Sequence, residues 1–324
     1  MAVGSGTSRA ATACQLLRVA ELQVTMADYA ALVPASIDGH TVQMLADTGA
    51  ARSLIWRSAA KELGLEIRQG DVTFYGAGGH DEAGLVWVQD LSLAGATIHN
   101  ARLYAAGRGS SPGESAGILG EDFLSAWDVE FDLSAGKIRL FTPKNCKGDD
   151  VAYWASTYSE VDLVTPPSDS RWLEAKVQLD GHDVVAMFDS GASMSVVTTQ
   201  AVLQAGIKPE TAATETAASK GIAGKGMDTS VALFKTLSVG DETVRNVELH
   251  VADLFSRNTA MQTGSHLAQH VINDPEMLIG ADFFLSHRIY VARSQGKIYF
   301  TYKGGPIFRH KAPEASTPAA AAPP

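Results

Sequence analysis

The sequence predicts a mostly β protein built from two similar lobes, and three observations predict it. One short acidic motif occurs twice in the same setting, strand and turn patterns dominate both halves, and helical periodicity is confined to brief stretches. The motif is Asp47-Thr48-Gly49-Ala50 in the first half and Asp189-Ser190-Gly191-Ala192 in the second. An Asp-Gly-His turn precedes each acid by the same 9 positions, from 38 to 47 and from 180 to 189.

The elements follow in order. Leu32 to Ile37 and Thr41 to Leu45 read as a hairpin around Asp38-Gly39, and Trp172 to Leu179 with Val184 to Phe188 repeat it around Asp180-Gly181. The turn pairs suit a left-handed backbone, and apolar residues flank them. Val72 to Tyr75 and Leu85 to Val88 straddle a glycine-rich turn, Tyr75-Gly76-Ala77-Gly78-Gly79; the second half has Gly221-Ile222-Ala223-Gly224-Lys225-Gly226. Next come Ile118-Leu119-Gly120-Glu121-Asp122-Phe123-Leu124 and Leu278-Ile279-Gly280-Ala281-Asp282-Phe283-Phe284. Closing strand pairs are joined at Gly136-Lys137 and Gln295-Gly296. Short helices are expected over Arg57 to Gly64, over Thr199 to Ala205, and in the turns that begin at Glu121 and Ala281. Four landmarks in one order, twice, at a spacing of roughly 140–160 residues, describe a duplicated domain and not a solenoid.

At 324 residues the chain is long enough for two cores. The reading divides it into an N-terminal extension (1–27), a first lobe (28–142), a linker (143–170), a second lobe (171–304) and a disordered Pro/Ala-rich tail (305–324). Tyr153-Trp154 in the linker is expected to pack on a lobe. The second half carries a long insertion, Asp253 to Pro275, where the first half has the shorter Ala105 to Ala116; loops of that length tend to be functional or mobile. With 26 basic against 36 acidic residues the net charge of −10 argues against nucleic acid or an anionic membrane as partner. No run is long enough for a spanning helix. The first thirteen residues lack the apolar core of a secretory leader, and Met1 to Gly6 is consistent with a stretch standing where one was removed.

The two cysteines, Cys14 and Cys146, bracket the first lobe. Bonded, they would close a loop of roughly 130 residues, for about 4–5 kcal/mol, and would place the protein in a periplasm or outside the cell. As two unrelated thiols they are compatible with a cytoplasmic protein.

The acidic motif has a chemical logic. Glycine permits a sharp turn and close backbone approach, and the hydroxyl of Thr48 or Ser190 can fix that turn or bond the opposite lobe. Two such turns face to face would bring Asp47 and Asp189 within about 3 Å, where both cannot ionise and one proton is shared. The pair could then hold a water, one member acting as base and the other polarising a carbonyl, without metal or cofactor.

At this point the sequence resembles the retropepsin-like aspartic peptidases, whose pattern is Asp-Thr/Ser-Gly-Ala/Thr, a glycine-rich flap and an Ile-Leu-Gly-x-Asp block. Both halves match all three elements, over roughly residues 28–142 and 170–304. The chain looks like a fused version, similar to bacterial aspartyl peptidases with two such lobes. The resemblance implies two pseudo-twofold-related acid-protease β-barrel lobes and an aspartic endopeptidase acting on peptide or protein substrates. It implies a catalytic dyad of Asp47 and Asp189, support from Thr48, Gly49, Ser190 and Gly191, and substrate-binding flaps at Tyr75, Gly76, Ala77, Gly78, Ile222, Ala223 and Gly224. With both acids in one chain, a monomer is expected. Lys220, Lys225 and the long insertion depart from the pattern.

Other readings were weighed beside these. Asp122 and Asp282 are expected to cap a short helix or accept a backbone bond. His40 and His182 are expected at the surface. His266 and His270 have a metal-compatible spacing but no third ligand, so a solvated loop and no metal are expected. Tyr75 reads equally as a core aromatic or a flap hydroxyl. Gly76 to Gly79 lacks the Lys-Ser/Thr of a phosphate loop, and neither Ser193 nor Ser195 sits in a nucleophile elbow. The alternatives are a catalytically silent peptide-binding protein and, more weakly, a two-carboxylate glycosidase.

Overall fold

The computed structural model describes residues 13–76, 79–107, 115–164, 171–207, 210–220, 226–254 and 275–308. The Met1–Gly6 stretch, His266, His270, Lys225, nearly all of the long insertion and the tail from 309 onward lie outside the described residues.

The duplicated hairpins form as the sequence indicates. Strands Ala30–Ile37 and His40–Ala46 pair around Asp38-Gly39, and Glu174–Leu179 and His182–Phe188 pair around Asp180-Gly181. Both turn acids adopt the left-handed region (φ 49°) and both following glycines do too (φ 82° and 81°). Each turn is also tied across its sheet: Asp90 N donates to the Asp38 carboxylate and Thr236 N to that of Asp180, at 2.8 Å each. These contacts help close each sheet on itself. In the first lobe, strand Ala30–Ile37 pairs again with Gly79–Leu93; in the second, Glu174–Leu179 pairs again with Gly226–Val239. Two barrel-like lobes result.

The acid-bearing strand occupies the same place in each barrel. His40–Ala46 runs parallel to Gly117–Leu119, and His182–Phe188 runs parallel to Met277–Ile279. Each acid's backbone N–H then continues the ladder, from Asp47 to Leu119 O at 3.0 Å and from Asp189 to Ile279 O at 2.8 Å. The partner strands are fully buried, as are the last three residues of each acid-bearing strand, and this apolar contact fixes their register. Short helices occur at Arg57–Glu62, Glu121–Leu124, Thr199–Gln204 and Ala281–Ser286.

A third sheet joins the lobes. Its order is Gln15–Gln23, Lys137–Lys144, Asp128–Asp132, His287–Ala292, Lys297–Tyr302, Ser159–Asp162. The lobe boundary runs through its middle, where Val129, Glu130 and Phe131 pair with Val291, Tyr290 and Ile289. Its outer strands come from residues that sequence reasoning left outside the lobes: Gln15–Gln23 from the extension and Ser159–Asp162 from the linker. Tyr153 and Trp154 do pack here, with the Arg288 guanidinium 5.4 Å and 5.0 Å from their ring centres.

Cys14 and Cys146 are bonded across 132 positions, and Cys146 is buried beside Phe141, Tyr290 and Tyr299. The bond favours an extracytoplasmic location. Among the described residues no helix is long and apolar enough to cross a membrane. The loop length sets the expected stability: replacing both cysteines by serine should remove about 4–5 kcal/mol. Calorimetry of the double variant should show a lowered Tm, and an unchanged Tm would show that the bridge contributes nothing.

Candidate active site

The two acidic turns meet at the lobe boundary and lock each other by their hydroxyls. Thr48 N donates to Ser190 Oγ (3.1 Å), and Ser190 N donates to Thr48 Oγ1 (2.9 Å). Each hydroxyl then donates onward to the opposite strand, Thr48 Oγ1 to Phe188 O (2.7 Å) and Ser190 Oγ to Ala46 O (2.8 Å). Both residues are buried, so four buried backbone groups are satisfied by side chains of the other lobe.

Within each turn the carboxylate is held from below. Gly49 and Ala50 donate to Asp47 Oδ1 at 2.9 and 3.1 Å, and Gly191 and Ala192 donate to Asp189 Oδ1 at the same distances. A Cβ placed on Gly49 would overlap the Asp189 carboxyl, and one on Gly191 would overlap that of Asp47. Only glycine lets each acid lie over the other lobe's turn.

The Asp47 and Asp189 carboxyls come together across the boundary, each lying against the other lobe's glycine turn. Two carboxyls this close oppose each other's ionisation. Burial raises the proton affinity of both, and the Asp189 charge raises that of Asp47 further. Backbone N–H groups, Gly49 among those acting on Asp189, pull the other way. Each acid residue stays partly exposed at the lobe boundary.

Behind the turns a second pair of acids does structural work. Ser53 donates through N (2.8 Å) and Oγ (2.6 Å) to Asp122, and Gly120 N donates to Ser53 Oγ (3.0 Å). Ser195, Asp282 and Gly280 repeat this with 3.0, 2.7 and 2.9 Å. Asp122 and Asp282 are therefore backbone acceptors that fasten the Leu-Gly block to the acidic turn. His40 and His182 are exposed.

A profile of the aspartyl protease family matches residues 33–123 and again residues 175–283, more than half of the chain. The chain belongs to the aspartyl protease family. The two matched regions coincide with the two lobes, each contributing one acidic turn of this family to the boundary. No curated protein matches the chain.

The two glycine-rich hairpins expected as flaps are described only in part. Tyr75 and Gly76 end strand Arg68–Gly76, whose last pair is Gly76 with Gly79; Ala77 and Gly78 lie outside the described residues. The second hairpin is described as far as Lys220 and from Gly226, which pair, and Ile222, Ala223 and Gly224 lie outside. Sequence reasoning passed over Glu121 and Arg293, which meet beside the first turn. The available signal was the break in repeat symmetry, Glu121 against Ala281.

Thr48→Val keeps the shape of the side chain but removes its hydrogen bonds with Ser190 N and Phe188 O. Leaving those groups unsatisfied should lower unfolding free energy by about 2–5 kcal/mol. A denaturation midpoint equal to that of the unmodified protein would contradict the interlobe role.

Proposed function

We propose that this chain is an aspartic endopeptidase in which Asp47 and Asp189 form the catalytic dyad. The observation that carries the reading is the approach of two acids, one from each lobe, each held by its own turn's backbone donors and lying against the other lobe's glycine. Family membership supports a peptide-bond hydrolase acting on peptide or protein substrates.

In the proposed reaction a water lies between the carboxyls. The ionised member takes one proton from it as the oxygen attacks the scissile carbonyl carbon, and the protonated member gives its proton to the carbonyl oxygen. The tetrahedral diol then collapses. One hydroxyl proton returns to the dyad, the amide nitrogen takes a proton from the other carboxyl, and the C–N bond breaks. The dyad ends with one proton, as it began. No metal, cofactor or covalent intermediate is required. The backbone donors at Gly49, Ala50, Gly191 and Ala192 keep the ionised member stable without supplying a proton.

An extended substrate would lie between the lobes and pair as a strand with the two glycine-rich hairpins. Both acids come from one chain, so a monomer suffices. The Cys14–Cys146 bond supports a periplasmic or secreted enzyme.

Asp47→Asn and Asp189→Asn should each reduce cleavage of a peptide library to background, scored by mass spectrometry of new termini. The unmodified enzyme should show a bell-shaped pH–rate curve, active where the pair holds one proton. Either variant retaining activity would overturn the dyad. Tight peptide capture without cleavage by the unmodified protein would instead show a binding protein on this fold.

A further inference from the structure

The strongest departure from twofold symmetry beside the dyad is a single carboxyl. Glu121 stands where the second lobe has Ala281. Both residues begin a short helix, and both donate their backbone N–H to the fourth residue of an acidic motif: Glu121 to Ala50 O at 2.8 Å, Ala281 to Ala192 O at 2.7 Å. Ala50 N is one of the two turn donors on Asp47, so Glu121 lies two hydrogen bonds from the dyad. Its side chain is buried, and it meets Arg293 of the second lobe. Glu121 Oε1 is buried without a hydrogen-bond partner among the described residues.

Arg293 reaches it from a turn that is anchored on both sides. Ser294 donates to Asp128 through N (2.9 Å) and Oγ (2.7 Å), and Gln295 Nε2 donates to Cys146 O (2.6 Å) and Asp149 O (3.0 Å). Arg293 also donates to Arg171 O at 3.0 Å. The guanidinium is thus placed before Glu121 meets it, and little side-chain entropy is lost in the contact.

We propose that Glu121 is a positioning residue of the dyad: its buried contact with Arg293 clamps the Ala50–Glu121 backbone link across the lobe boundary and so sets the attitude of Asp47. The catalytic half of this inference rests on the peptidase reading; the contact itself does not. The clamp also titrates. Burial pushes the Glu121 carboxyl up to about 7, against the pull of Arg293 and Arg171 and with a smaller push from Asp122. Asp122 is turned toward Ser53, and Asp128 acts on Arg293 from the far side. Between its ordinary 4.5 and about 7, the folded chain keeps a proton that the unfolded chain has lost. Stability from this group is therefore full below that window and falls as pH rises through it. Above it, a negative charge appears behind Asp47 and raises the dyad's hold on its proton.

Two variants test the clamp. Glu121→Ala should lower kcat by about tenfold or more with KM nearly unchanged, because only alignment is lost. Glu121→Gln keeps an acceptor for Arg293 and should restore kcat at pH 5, while its alkaline limb moves to lower pH for want of the nearby charge. Unchanged kcat in the alanine variant, or a glutamine profile that superimposes on the unmodified one, would overturn the proposal. Melting curves supply a readout independent of activity: relative to the unmodified protein, Glu121→Gln should gain Tm as pH rises from 5 to 8. A constant Tm difference would contradict the titrating contact, whereas an unmodified protein that cuts no peptide would sink the peptidase reading alone.

Discussion

The reciprocal hydrogen bonds of Thr48 and Ser190 are the constraint on which the rest of the site depends. Two carboxyls at bonding distance repel if both ionise, and burial adds to that cost. Something must hold the lobes together against this tendency. The hydroxyl pair does so at the closest point available, since each residue follows its acid directly and spans to the facing strand. The groups they join are buried in the docked lobes, so loss of either hydroxyl would leave its partners unsatisfied there. The dyad itself works the other way. Its raised proton affinity makes it most compatible with the fold at low pH, and that contribution fades as pH rises through the pair's titration.

The six-stranded sheet distributes the remaining load. Its pseudo-axis passes where Glu130 faces Tyr290, and there the twofold chemistry breaks. Glu130 is fully buried and receives Arg139, Arg288 and the Tyr153 hydroxyl, while Asp132 and Glu21 share Arg139. Such a network is costly to desolvate but more costly to break singly, which makes it a register device for docking the lobes. The disulfide ties the first strand of this sheet to the linker and, through Gln295, to the turn that carries Arg293. Covalent bond, sheet and dyad are thus linked by short, directional contacts.

Much of the barrel architecture was legible in the sequence, because it is written in local patterns. Asp38-Gly39 and Asp180-Gly181 mark turns whose left-handed backbone few other residue pairs adopt, and the apolar runs beside them set strand direction. Asp47 and Asp189 were legible for a different reason: repetition in register exposes residues whose role is shared. The long-range contacts were not. Gln15–Gln23 is only partly buried and lies in what reads as an N-terminal extension; its partner strand lies more than a hundred residues away. The Glu121–Arg293 contact was hidden because Glu121 fills the variable position of the Ile-Leu-Gly-x-Asp block and Arg293 lies in no motif. The break in the repeat at Glu121 marks the position, and its meaning appears only when Arg293 is seen beside it.

The most direct test of the account is carbon-13 NMR titration of the Asp47 and Asp189 carboxyls in the intact protein, assigned by single substitution. The account predicts coupled behaviour, in which the pair holds one proton far above the ordinary aspartate value of 3.8 and both signals report its loss together. Two independent curves, each centred near that ordinary value, would contradict it, because carboxyls that titrate alone are not sharing a proton.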